Sequence, residues 1–207
     1  MKSYMDTYFC DMEKLYQELE SLARKDGLTQ TLAALPYARE KHCGQFRAGK
    51  EKFPYYCHPL MTAFHAVCLG IREDEVLAAA LLHDVCEDCG AAPEELPAGD
   101  KVKEAVKTLT REGYPARISK ESKDRYYKAV SGNRIALLVK LLDRCNNIST
   151  MAGAFSKEKM VRYGIDTIER VYPLFALAEK EYPEYIPALK LIRYHMDSVL
   201  GAVLGEM

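Results

Sequence analysis

One stretch of the sequence, residues 76–89, places an imidazole and three carboxylates directly behind a run of apolar residues. It reads VLAAALLHDVCEDC, and its polar groups are His83, Asp84, Glu87 and Asp88. On a helix, residues four apart lie roughly 40° from each other, so the four groups fall within an arc of about 140°. Because the rest of the segment is apolar on every side, the pattern predicts a buried helix with a polar end.

Buried charges of this kind are unfavourable unless they are paired, and a divalent metal ion is the natural partner for them. The further candidate ligands are His58, just before a proline that begins a helix, and Asp143, inside the apolar segment 134–148. Together with His83 and Asp84 they form a mixed nitrogen and oxygen shell, which suits Mn²⁺, Fe²⁺ or Zn²⁺ better than Ca²⁺. Positions would remain for water and substrate. The alternative is that each group is a polar core residue with an ordinary hydrogen bond.

The elements that position these groups are predicted to be helices. Glycine and proline are sparse, and apolar residues recur at intervals of three and four, which favours an all-α fold. The predicted helices cover residues 5–24, 28–43, 59–69, 74–89, 100–111, a polar segment ending at 130, 134–148, 156–182 and 187–204. No internal repeat or long linker divides the chain, so a single domain spanning residues 1–207 is expected.

The composition gives no indication of a nucleic-acid-binding, membrane-spanning or secreted protein. The 207 residues carry a net charge of −1, and no basic excess indicates nucleic-acid binding. No apolar run reaches 18 residues and the first 20 residues carry charges throughout, so neither a transmembrane helix nor a secretory signal is expected. Seven cysteines without an export signal indicate reduced thiols and a cytoplasmic location.

Longer sequence blocks surround the candidate ligands. PYYCHP covers residues 54–59, AALLHDVCED covers 79–88 and VKLLDRCNN covers 139–147, and the pattern His42-x-x-Gln45-x-Arg47 lies upstream. Their order and spacing resemble the HD-domain metal-dependent phosphohydrolases, and specifically the hydrolase domain of RelA/SpoT homologues. The resemblance covers about residues 35–172. It implies an HD-domain helical fold of about eight to ten helices, with a core at about residues 28–180 and the terminal helices packed on it.

The resemblance also implies an activity. Small alarmone hydrolases of this family remove the 3′-pyrophosphate from (p)ppGpp and leave GDP or GTP. It implies one Mn²⁺ ion held by His58, His83, Asp84 and Asp143, with Glu87 and Asp88 orienting and deprotonating the attacking water. A small-molecule nucleotide is therefore the expected partner. The Tyr-rich C-terminal third is expected to pack on the core, with self-association into a homo-oligomer as the alternative.

Six residues are predicted to contact the substrate: Arg47, Lys50, Lys140, Arg144, Asn147 and Thr150. By resemblance, Arg47 lies against the base, Asn147 near the ribose and Thr150 near the 3′-phosphates. Ala48 stands where the family has a lysine, and the following loop is about two residues longer, so Lys50 or Lys52 is expected to compensate. The choice between guanine and adenine stays open, and a solvated surface charge is the alternative for each lysine.

Other functions remain open. One is an HD phosphohydrolase for another phosphorylated nucleotide, such as ppApp, the 2′-phosphate of NADPH or a nucleoside monophosphate. Another is a non-catalytic nucleotide-binding module, although intact buried charges argue against it. Cys86-x-x-Cys89 overlaps the catalytic turn, and we interpret it as structural because no second CxxC exists. Redox inhibition through an oxidised pair is the minor hypothesis.

Overall fold

The computed structural model describes residues 11–49, 52–111 and 119–205. Within these ranges all the assigned secondary-structure elements are helices, apart from one isolated bridge between Phe46 and Pro54. The all-α prediction is therefore confirmed. The α-helices are α1 (Met12–Asp26), α2 (Thr29–Lys41), α3 (Cys57–Cys68), α4 (Asp74–Leu82), α5 (Val85–Cys89), α6 (Asp100–Leu109), α7 (Lys120–Gly132), α8 (Arg134–Thr150), α9 (Lys157–Asp166), α10 (Tyr172–Glu181) and α11 (Ile186–Gly205).

Helix α4 lies at the centre of the fold. Its residues from Val76 to Leu82 are fully buried, and α2, α3, α6 and α8 pack around it. The Asp74 carboxylate anchors the start of this helix, because it accepts hydrogen bonds from the backbone N–H groups of Gln30 and Thr31 and from the Thr31 hydroxyl. The continuous apolar sequence of α4 therefore reflects burial on every side.

The prediction of a single helix over residues 74–89 is wrong at one point. Helix α4 ends at Leu82 and α5 begins at Val85, so His83 and Asp84 lie in a turn between them. In an uninterrupted helix the Ala80 carbonyl would accept from the backbone N–H of Asp84. Here that carbonyl lies 2.8 Å from His83 Nδ1, which competes for it.

The C-terminal half forms a second layer over α8. Helix α9 continues through a π-helical turn, Thr167–Val171, into α10, which agrees with the long helix predicted over residues 156–182. Helix α11 packs against α8, α9 and α10. The hydrophobic core runs from Leu19 in α1 to Leu200 in α11. The single domain over residues 1–207 stays a prediction. Among the described residues, none of the helices has the length and apolar character needed to cross a membrane.

Candidate metal centre and active site

Four side chains from α3, α8 and the α4–α5 turn converge at one point. His58 Nε2 lies 3.1 Å from Asp143 Oδ1 and 3.5 Å from Asp84 Oδ2. His83 Nε2 lies 3.2 Å from Asp84 Oδ2 and 3.7 Å from Asp143 Oδ1. Two ligands bound at about 2.1 Å to one ion are separated by about 3 to 3.5 Å, so this spacing fits a shared metal ion. The structure thus brings together the four predicted ligands, and the ligand atoms of His58, His83 and Asp84 all lie within 4.8 Å of one another.

The two imidazoles are oriented by their other ring nitrogens. His83 Nδ1 donates to the Ala80 carbonyl at 2.8 Å, and His58 Nδ1 donates to Asn146 Oδ1 at 2.7 Å. Since a carbonyl oxygen can only accept, both rings carry their proton on Nδ1 and direct Nε2 towards the carboxylates. His83 Nε2 is buried and faces Asp84 Oδ2 at 3.2 Å and Asp143 Oδ1 at 3.7 Å, without a well-aligned hydrogen bond among the described residues. A buried imidazole nitrogen that faces two carboxylates in this way is suited to share a metal ion with them.

The electrostatics of the cluster also suit a cation. Burial lowers the pKa of His83, but the Asp84 and Asp143 carboxylates outweigh it and raise that pKa well above its ordinary value. Burial raises the pKa of Asp84, yet the His83 imidazole beside it brings the pKa below its usual range. Without an ion, the site therefore favours a positive charge on the imidazole. A divalent cation supplies that charge and releases the proton.

Asp143 is held by two neighbours on its own helix. Lys140 Nζ donates to Asp143 Oδ2 at 2.7 Å, and Asn147 Nδ2 donates to Asp143 Oδ1 at 2.5 Å. Burial raises the pKa of Asp143, but Lys140 and the histidines lower it well below its ordinary value. Lys140 was predicted to contact substrate phosphates. Its position makes it the charge partner of a metal ligand, and direct contact with substrate stays a prediction.

Glu87 is engaged by a residue that the sequence did not single out. Arg111 follows α6 and donates from its backbone N and Nε to Glu87 Oε2, at 3.0 and 3.2 Å, and from a terminal nitrogen to Oε1 at 2.5 Å. The Glu87 side chain is only 7% exposed. The carboxylate is therefore fixed in place by a bidentate ion pair.

Asp88 lies one residue further along α5 and has a different environment. Burial and the nearby Asp84 carboxylate raise the pKa of Asp88. Tyr55 connects the two carboxylates, since its hydroxyl donates to Asp84 Oδ2 at 2.7 Å and also interacts with Asp88. The pKa of Asp88 is thus shifted in the direction that suits a proton acceptor.

Three predicted substrate residues form one hydrogen-bonded group. A terminal nitrogen of Arg47 donates to Asn147 Oδ1 at 3.0 Å and to Thr150 Oγ1 at 3.2 Å, and the guanidinium lies 5.6 Å from the centre of the Tyr55 ring. The loop that carries Arg47 is closed by backbone hydrogen bonds from Arg47 N to Phe53 O and from Tyr55 N to Gln45 O. The positions predicted to contact the base and the ribose are therefore neighbours.

The same loop approaches the end of α8 closely. Gly49 has a φ of +145°, and a Cβ atom there would lie 3.1 Å from the Gly153 carbonyl oxygen. Glycine is the residue that tolerates both conditions. Lys50, the remaining predicted substrate contact of this loop, lies outside the described residues.

Arg144, also predicted to contact substrate, is buried on α8. Its terminal nitrogens donate to the Tyr127 hydroxyl at 2.7 Å, to Asp166 Oδ2 at 3.2 Å and to Thr167 Oγ1 at 3.0 Å. The guanidinium lies 4.1 Å from the centre of the Tyr163 ring. These contacts anchor it to α7, α9 and the π-helical turn, and its contact with substrate stays a prediction.

Sequence reasoning missed Tyr55, Arg111 and Asn146 as residues of this site. Tyr55 and Asn146 lie inside the quoted blocks PYYCHP and VKLLDRCNN, next to predicted functional residues, and that position was the available signal. No such signal in the sequence pointed to Arg111, because it lies 24 positions from its partner Glu87 and follows a helix without predicted functional residues.

Comparison with known proteins agrees with this geometry. The HD domain family profile matches residues 55–205. Guanosine-3′,5′-bis(diphosphate) 3′-pyrophosphohydrolase of Aquifex aeolicus is 32% identical over 169 residues, which cover 79% of this chain and 23% of that protein. The bifunctional (p)ppGpp synthase/hydrolase SpoT of Escherichia coli is 31% identical over 170 residues, which cover 78% of this chain and 24% of that protein. The chain spans about a quarter of the length of these curated relatives.

A solved structure shares the fold. It is a metazoan orthologue of SpoT described as hydrolysing ppGpp, with a TM-score of 0.59 and 24% identity, and the match covers 82% of this chain and 93% of that one. The profile match extends over most of the chain and includes each of the four residues that converge around His83. The chain belongs to the HD domain family.

Proposed function

We propose that this protein is a metal-dependent hydrolase of (p)ppGpp-type alarmones that releases the 3′-pyrophosphate and leaves GDP or GTP. The observation that carries the proposal is the convergence of His58, His83, Asp84 and Asp143, with Nε2 of both imidazoles directed at the carboxylates. The names of the relatives from Aquifex and Escherichia support this choice of substrate.

The proposed metal ion is Mn²⁺, with Fe²⁺ or Zn²⁺ as the alternatives, because the donor set combines two imidazoles and two carboxylates. When bound, such an ion lowers the pKa of water and stabilises negative charge on phosphate oxygens. The protein contributes the fixed orientation of the ligands. Asn146 and the Ala80 carbonyl hold the two imidazoles, while Lys140 and Asn147 hold Asp143.

Asp88 is the proposed proton acceptor for the attacking water. Its pKa is raised by burial and by Asp84, so its carboxylate binds a proton more readily than an exposed aspartate would. Glu87 is held by Arg111 and serves to orient the water rather than to take its proton. This division refines the shared role that the sequence predicts for the pair.

Arg47, Asn147 and Thr150 form the proposed contact with the base, the ribose and the 3′-phosphates. Their hydrogen bonds to one another place a cation and two uncharged polar groups on the α8 side of the metal cluster. Ala48 leaves the guanidinium of Arg47 without the neighbouring lysine of the family, so discrimination between guanine and adenine is expected to be weak.

The proposal is tested by pyrophosphate release from ppGpp, with and without Mn²⁺, beside ppApp and a nucleoside 3′-monophosphate. Mn²⁺-dependent release of pyrophosphate from ppGpp is expected, and the ratio to ppApp measures base selectivity. Metal binding without pyrophosphate release from either alarmone would overturn the proposal in favour of another phosphorylated nucleotide. A cytoplasmic location and a homo-oligomeric state stay predictions.

A further inference from the structure

The outer face of the C-terminal helix α11 carries apolar and small residues, where the solvent-facing side of a surface helix normally carries charges. On this helix, Leu191 is 59% exposed and Tyr194 is 71% exposed. Six large hydrophobic side chains are exposed in the described part of the chain, and five of them lie in the layer from α9 to α11: Ile165, Ile168, Leu177, Leu191 and Tyr194. The C-terminal layer therefore leaves apolar surface uncovered.

The exposed residues of α11 follow a regular spacing. Uncharged exposed residues recur along it at intervals of four, three, four, three and four positions: Pro187, Leu191, Tyr194, Ser198, Gly201 and Gly205. At about 100° per residue, these six positions lie within an arc of about 80° and form one line about 27 Å long, which we call the α11 stripe. The exposed side of α1 is different, because it carries Lys14, Glu18 and Lys25. The α11 stripe therefore has the composition of a contact surface.

Gly201 lies inside this helix, and the described fold of the single chain does not require a glycine there. Its backbone is ordinary helix without a positive φ, and a Cβ atom at this position would meet no described atom within 4 Å. Gly164 on α9 is the opposite case, because a Cβ atom there would lie 3.1 Å from Leu204 Cδ1. Glycine weakens a helix interior relative to alanine, so Gly201 indicates a close approach from outside the chain.

The α11 stripe is complementary to itself in side-chain size. Its first half projects Leu191 and Tyr194, and its second half is recessed at Ala202 and Gly205. Tyr194 and Ala202 each lie four positions from Ser198, while Leu191 and Gly205 each lie seven positions from it. We propose that two copies of this chain pair through their α11 stripes, antiparallel, with a two-fold axis at Ser198. Each large residue of one copy then faces a small residue of the other, as an isologous interface requires.

The charges beside the axis are compatible with this pairing. Asp197 accepts from Arg193 Nε at 3.1 Å and from the Tyr172 hydroxyl at 2.5 Å, so its carboxylate is neutralised within its own chain. The contact through Tyr172 also joins α10 to the stripe. Ten residues of α11 and five of α10 are exposed. A standard interface uses about 20 to 30 residues a side, so these two helices and their half-buried neighbours predict a dimer of micromolar affinity.

The test is sedimentation velocity of the full chain at concentrations from about 1 to 200 µM, over which the wild type should change from monomer to dimer. Gly201→Arg should weaken dimerisation at least about 100-fold, because the two-fold axis buries the added charge twice. Gly132→Arg is the matched control, since Gly132 is an exposed glycine at the end of α7 whose Cβ atom would also meet nothing within 4 Å. It should dimerise as the wild type does. At low concentration Gly201→Arg should melt no lower than wild type, because arginine favours a helix more than glycine does.

A second experiment tests the antiparallel register. Tyr194→Glu and Ala202→Lys should each weaken dimerisation, and the double variant should recover most of it, because the new carboxylate of one copy faces the new ammonium of the other. Within one chain these positions lie about 12 Å apart along the helix, so they form no pair there. A double variant no stronger than the single ones would overturn this register.

The remaining outcomes decide whether the stripe is the interface at all. A wild type that stays monomeric throughout would overturn the proposal and leave the α11 stripe to a different protein partner. Equal dimerisation of Gly201→Arg and Gly132→Arg would overturn it by placing the interface elsewhere. Sedimentation measures neither metal binding nor turnover, so its outcome is independent of the proposed hydrolase activity.

Discussion

Lys140 Nζ and Asp143 Oδ2 form a 2.7 Å ion pair between residues three apart on α8, and the Asp143 side chain is 7% exposed. One oxygen of this carboxylate therefore neutralises a lysine while the other lies beside both imidazoles. The predicted metal ligand Asp143 and its charge partner Lys140 share a single turn of helix, so one of the two buried carboxylates of the cluster is already paired with a cation.

Replacing Lys140 by methionine should destabilise the metal-free protein by about 3 kcal/mol, because it removes the ammonium partner of the buried Asp143 carboxylate. Bound Mn²⁺ supplies a substitute charge, so the added ion should recover most of the lost stability. Chemical unfolding with and without Mn²⁺ measures both values. An equal loss in the two conditions would show that Lys140 acts through packing alone.

Asn146→Ala removes the acceptor that orients His58 and should weaken metal binding by about 10- to 100-fold. Cys145→Ala is the matched control on the neighbouring position, whose backbone carbonyl accepts from Ser149. Metal affinity can be measured by competition with a chelating dye. Unchanged affinity in Asn146→Ala would mean that helix α3 alone fixes the imidazole.

Asp84→Ala should abolish metal binding, whereas Glu87→Ala should retain the metal and lose turnover. The difference follows from position, because Asp84 Oδ2 faces both histidines and Glu87 faces Arg111. Metal content by mass spectrometry and pyrophosphate release separate the two effects. Loss of metal in both variants would contradict this division of roles.

Arg111→Gln should lower kcat by about 10- to 100-fold with little change in metal content, since an orienting carboxylate that is no longer fixed loses most of its effect. Arg111→Lys keeps the charge and should restore part of the rate. The backbone contact from residue 111 to Glu87 survives in both variants. Arg72→Gln, which removes a cation from an exposed pair with Asp26, is the control and should have wild-type kcat.

The buried helices and the four candidate ligands could be predicted because the same physical rule governs both. A charged side chain within an apolar run must have a partner, and Asp143 and His83 occupy such runs. The interruption of the helix at His83 could not be predicted, since it depends on a side chain competing for the Ala80 carbonyl. Arg111 could not be assigned to Glu87 either, because the pair forms only when α5 and the end of α6 meet in the folded chain.

The loop between Gln45 and Tyr55 is closed on itself by hydrogen bonds at its base, and it carries Arg47 to the side of α8. The length and composition of such a closed loop can vary while the helices that hold the four candidate metal ligands keep their positions. Ala48 and the longer loop that the family resemblance implies are changes of that kind. Under the proposed function, base selectivity can therefore change without any change at the candidate metal ligands, and exchanging this loop between relatives is the direct way to alter it.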